Sequence, residues 1–121
     1  MKIFILLIFG LMPSLSYASD PWSPQDIALE SIYVALHVVD WGQTRDIANQ
    51  PDEYYEAYNP ILGKHPSKDK VDLWFVSTTI THILITNYLP SKCRPYFQGV
   101  TIGMAGTLVL INMSIGLKIA F

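Results

Sequence analysis

The chain has little charge and almost no cysteine. Asp, Glu, Lys and Arg make up 15% of its 121 residues, where a soluble domain carries about 25%. That deficit makes lipid part of the expected solvent. The single cysteine, Cys93, excludes an intrachain disulfide and a thiolate metal cluster. It stands between Lys92 and Arg94 with no nucleophile motif around it, so no catalytic role is expected of it. Basic residues are few as well: eight Lys and Arg, scattered singly or in pairs, against ten Asp and Glu. Without a basic stripe to neutralise phosphates, nucleic acid is not expected as a partner. Internal repeats and low-complexity tracts are also missing, and the length leaves room for one domain.

What the chain does have is apolar length. Half of its residues are apolar, and the mean hydropathy is +0.28. Lys2, the apolar run 3–12, the break at Pro13 and the small residues of Ser16-Tyr17-Ala18 read as a signal peptide over 1–18. The run is shorter than the ~20 residues a span needs. Its alternative, an uncleaved anchor, leaves the downstream orientation unchanged.

Three helical stretches follow in a single domain over 19–121. Ser23 suits an N-cap, Pro24 the first helical position and Asp26 the return bond of a capping box. The spacing predicts a first span over 27–48, with Gly42 its only weak point. Glu30, Tyr33, His37, Asp40 and Thr44 fall within one arc of about 80°, opposite Ile32, Ala35, Leu36 and Val39. A polar connection over 49–70 holds a candidate short interfacial helix at 52–58, ended by Asn59-Pro60. Ser67 caps the second stretch, whose span over 71–89 covers about 28 Å. Thr78, Thr81 and His82 share one of its faces, with Thr86 nearby. The third span, 96–117, is expected to end at Lys118. Its Gly99, Gly103 and Gly106 make a small face for close helix packing, and Gln98, Ala105 and Asn112 a polar seam.

The expectation is therefore an all-α helical membrane bundle, three transmembrane helices after an N-terminal signal peptide. A signal peptide puts the mature N-terminus outside a bacterial inner membrane. Arg45, Lys64, Lys68, Lys70 and Lys118 then lie inside, and Lys92 and Arg94 outside.

Ionisable groups inside spans cost about 2.5–3.5 kcal/mol on insertion scales and so call for partners. Three readings compete for them. In the first, Asp40, Gln43, Thr44, His82 and Asn112 hydrogen-bond across helices and fix the bundle. In the second, His37, His82 and Asp40 (or Glu30) form a zinc or iron site, although no H-E-x-x-H spacing exists. In the third, a His–Asp pair handles protons or ions in an oligomer. The loop adds Glu56, Asn59 and His65. Asn59 can cap a turn, or the loop can act as a lid that sets Glu56 and Asn59 beside Asp40 and Thr44.

Asp40-Trp41-Gly42-Gln43-Thr44-Arg45, then Glu56 with Asn59-Pro60-Ile61-Leu62-Gly63 and His65-Pro66-Ser67, then His82 and Asn112, resemble a group of small uncharacterised bacterial and prophage membrane proteins. The resemblance implies a helical membrane protein of bacterial or phage origin and implies no activity. A phage source would suggest a role at the host envelope, such as lysis or its regulation. The leading expectation is a non-enzymatic membrane component that acts through helix packing, with lipids, further copies of itself or other membrane proteins as partners. The rival is an intramembrane metal-dependent enzyme built on His37, Asp40 and His82, with Glu56 or His65 contributed by the loop.

Overall fold

A computed structural model describes residues 20–121; the signal peptide expected over 1–18 lies outside them. Among the described residues there are three helices and no strand: α1 (Pro24–Asn49), α2 (Lys68–Tyr88) and α3 (Arg94–Ser114).

The caps explain where the first two begin. The Ser23 hydroxyl accepts from the Asp26 N–H at 3.0 Å, and the Asp26 carboxylate accepts from the Ser23 N–H at 3.0 Å. This reciprocal box satisfies two donors that the first turn would otherwise leave unpaired. Ser67 caps α2 through the Lys70 N–H at 3.2 Å.

Two expectations are corrected. Residues 52–58 form no helix. The Glu56 side chain takes the Tyr58 N–H at 3.0 Å, and the Glu56 N–H turns to the Lys64 carbonyl at 2.8 Å. These local bonds compete with a helical ladder. The third helix ends at Ser114 rather than 117, so Lys118 does not close it. Gly116 adopts a φ of +92°, open to glycine at little cost, and reverses the chain. The tail then folds back on α1: the Ala120 N–H reaches the Gly42 carbonyl and the Lys118 N–H reaches Asp46.

Helix α1 lies between the other two and packs against both, whereas α2 and α3 touch little. Among the described residues only α3 is long and apolar enough, by length and composition, to cross a membrane. Helices α1 and α2 fall short because they carry acids, His and Thr, and most of these groups point inward.

The distribution of polarity is inverted. Among the described residues, buried polar and charged side chains outnumber buried apolar ones; Gln98 and Arg94 are 0% exposed. The outer surface of α3 carries Val100, Met104, Leu110 and Met113, and Leu110 is 67% exposed.

Candidate functional site

The polar interior divides into two clusters along α1. Near its N-terminal end, Glu30 stands at the centre. His82 Nδ1 lies 2.7 Å from Glu30 Oε1, and the amide of Gln98 and the hydroxyl of Thr86 donate to Oε2 at 3.0 and 3.3 Å. The other ring nitrogen of His82 lies 2.7 Å from the Thr101 hydroxyl. His82 is stacked between Tyr33, centroids 3.5 Å apart, and Phe97, at 4.7 Å. One turn above, the Arg94 guanidinium donates to the Asp26 carboxylate at 3.1 Å. Gln98 Oε1 is the one side-chain polar atom among the described residues that is wholly shut off from solvent and has no hydrogen bond. A cluster so nearly satisfied binds helices together more readily than it binds a ligand.

The second cluster is different, because it borders a cavity of about 430 Å³. Asp40 accepts at Oδ1 from the Asn112 amide at 3.0 Å and, more weakly, from the Thr44 hydroxyl at 3.5 Å. The same Asn112 amide reaches Gln43 Oε1 at 3.1 Å, and Gln43 in turn donates to the Val109 carbonyl at 3.3 Å. No hydrogen bond among the described residues reaches Asp40 Oδ2, although Asp40 is only 8% exposed. His37 Nε2 lies 2.8 Å from the Thr78 hydroxyl. Glu56 and Asn59, from the connection between α1 and α2, line the same cavity as Asp40 and Thr44. Asn59 Oδ1 accepts the N–H groups of Ile61 and Leu62 at 3.0 and 3.2 Å, the turn-capping role expected of it. Gly63, at φ +77°, carries the chain back.

Of the residues singled out from the sequence, His37, Asp40, Thr44, Glu56, Asn59 and Asn112 converge on this cavity. Gln43 lies behind Asn112. His82 belongs to the Glu30 cluster, with the Tyr33 ring between it and His37. His65 is exposed and lies away from the cavity. Thr81 is exposed too, its hydroxyl returned to the Ser77 carbonyl. Among the described residues no group of three or more His, Cys, Asp or Glu is placed to hold a metal ion. The set His37, Asp40 and His82 is divided between Thr78, Asn112 and Glu30 instead. A Cβ at Gly99 or Gly103 would meet nothing within 4 Å among the described residues, and one at Gly106 only Leu36, at 3.8 Å. The small face therefore packs little inside this bundle.

Sequence reading missed two ion pairs. Arg94, counted there as a loop charge, is fully buried in the first turn of α3. Pro95, which favours the first turn of a helix, was the available hint. Arg45 pairs with Asp72 at 2.6 Å rather than with Asp40, and the Trp41 indole N–H joins the same carboxylate at 2.8 Å. Among the described residues Asp40 is thus left without a cation.

No family model matches the chain, and comparison with curated proteins and with solved structures finds no significant match.

Proposed function

We propose that the chain is a three-span integral protein of a bacterial inner membrane, mature N-terminus outside, working as a non-enzymatic component that holds a small ligand in the chamber beside Asp40. The observation that carries this reading is the inverted polarity. Acids, amides and Arg94 occupy the interior while Leu110, Val100 and Met113 face outward. In water such an arrangement loses the main driving force for folding. In a bilayer it keeps polar groups away from hydrocarbon and lets them bond to each other.

Charge supports the orientation. Lys64, Lys68, Lys70 and Lys118 are exposed at one end, while Lys92 alone is exposed at the other, since Arg94 is buried against Asp26. The exposed Gly99 and Gly103 leave α3 open to another helix, in keeping with an oligomer. Binding is favoured over metal-dependent catalysis because His82, which such a site would need beside Asp40, is engaged by Glu30 and Thr101.

The native Cys93, exposed in the connection between α2 and α3, supplies the test. A membrane-impermeant maleimide should label Cys93 in intact spheroplasts. In a Cys93→Ser background, Lys64→Cys should label only after permeabilisation. Equal labelling of both positions in intact spheroplasts, or release of the protein from membranes by alkaline carbonate, would overturn the three-span reading.

A further inference from the structure

The chamber is electrically one-sided. Two carboxylates, Asp40 and Glu56, line it, and no Lys or Arg among the described residues does. Arg45, on the same helix as Asp40, is committed to Asp72 and to the Ala120 carbonyl. A carboxylate taken out of water without a cation is costly, and the cost falls when a cation arrives. Asp40 is nine-tenths buried and keeps one oxygen free of hydrogen bonds among the described residues.

Size and walls narrow the cation. A volume of about 430 Å³ lies in the range of small-molecule pockets and far exceeds a bare ion. The aromatic rings of Trp74 and Phe75 form part of the lining, and ring faces attract organic ammonium groups. Both α2 and α3, which hardly touch, contribute apolar lining: Trp74 on one helix, and Met104 and Leu108 on the other, with Met104 64% exposed.

We propose that the chamber binds the ammonium group of an amphiphile, whose apolar chain leaves between α2 and α3 into the bilayer; this rests on the membrane reading above. Asp40 and Glu56 supply the charge and the Trp74 and Phe75 rings the cation-binding walls. Met104 and Leu108 accompany the first methylenes of the chain.

The test uses the full chain in phosphatidylglycerol nanodiscs, with empty nanodiscs as baseline and calorimetric titration as the readout. Dodecyltrimethylammonium and dodecylammonium should each bind saturably. Asp40→Asn and Glu56→Gln should each weaken binding about tenfold or more, the usual scale for losing one charge-assisted contact. Asp69→Asn, an exposed acid outside the chamber, should leave binding unchanged. Asn keeps the shape of Asp40, and unchanged circular dichroism identifies a folded variant; Glu56→Gln tests the same point from the loop.

Dodecanol binding as tightly as the amines, or affinity indifferent to both substitutions, would overturn the ammonium site. Tetramethylammonium binding as tightly as the long-chain form would overturn lateral entry. Displacement of the amine by added phosphatidylethanolamine supports the site and assigns it to a lipid headgroup; no displacement supports it and assigns it to single-chain amines. A protein correctly oriented by Cys93 labelling that binds neither amine sinks this inference alone. A protein that stays out of the nanodisc sinks the three-span reading, and the lateral chamber with it.

Discussion

A guanidinium with no solvent exposure must find acceptors for five N–H groups, and Arg94 finds them. It donates to the carbonyls of Thr86, Asn87, Pro21 and Asp20 and to the Asp26 carboxylate. One side chain thus ties the segment before α1, the end of α2 and the start of α3. Arg94→Met should cost about 3–5 kcal/mol, because it leaves Asp26 buried without its cation. Unfolding in mixed dodecyl maltoside and SDS micelles measures this. Arg94→Met combined with Asp26→Asn should cost clearly less than the two single changes added, since the residues share one interaction. Full additivity would show that the pair is not coupled. The neighbouring Asp20 gives a pH dependence. The Ser91 N–H, 2.9 Å away, holds its carboxyl below the usual 3.8, helped by the Ser91 hydroxyl and Arg94 and opposed by slight desolvation. A lowered folded-state value means that the contact stabilises fully above the unfolded value and is lost as pH falls through the lowered one. The Ser91 amide resonance should therefore titrate with a midpoint below 3.8, and Asp20→Asn should abolish that titration. A midpoint at or above 3.8 would contradict the assignment.

At the scale of elements, what could be read from the sequence was whatever is local. Ser23, Pro24 and Asp26 lie within four positions of one another, and Ser67 sits directly before its helix, so both starts were legible. Helical periodicity likewise placed Glu30, Tyr33, His37, Asp40 and Thr44 on one buried arc, and Gln98, Ala105 and Asn112 on one buried seam. The partners within those faces were not legible. Glu30 and His82 are 52 positions apart and Asp40 and Asn112 are 72, so their pairing depends on how the helices dock. Nor was the returning C-terminal tail legible, because only the positive φ at Gly116 announces it. Gly42, a weak point by helix propensity, owes its place to that tail. A Cβ there would stand 2.5 Å from an Ile119 methyl and 3.3 Å from the Ile119 Cα. Gly42→Val should push the tail off α1, separate Phe121 from its edge-on contact with Trp41, and cost about 1–3 kcal/mol. Faster trimming of the tail by carboxypeptidase reads the release. Deleting residues 119–121 in the Gly42→Val background should then cost nothing further. An added penalty would mean that the tail had stayed in place.

For the molecule as a whole, the decisive question is which solvent the inverted surface was built for, and a single exposed position can answer it. Hydropathy along the chain detects one helix of three, because it averages the buried acids of α1 together with the outward residues Ile27, Ile32 and Val38. The structure separates those two faces on α1, and on α3 the outward one carries Val100, Met104, Leu110 and Met113. Met104 lies at the middle of α3 and is 64% exposed, whereas Tyr96 lies in the first turn and is 79% exposed. If water surrounded the protein, Met104→Lys and Tyr96→Lys would both be near neutral, within about 0.5 kcal/mol, as surface substitutions usually are. If lipid surrounds it, the two must differ. A lysine at 96 can extend its ammonium to the headgroups. A lysine at 104 has to bring its charge towards hydrocarbon, at about 2.5–3.5 kcal/mol. Expression of both variants, followed by membrane fractionation and unfolding in mixed micelles, should find Tyr96→Lys retained with near-normal stability and Met104→Lys depleted or destabilised by that amount. Equal tolerance of the two lysines would place the outer face of α3 in water, and the three-span reading would have to be abandoned.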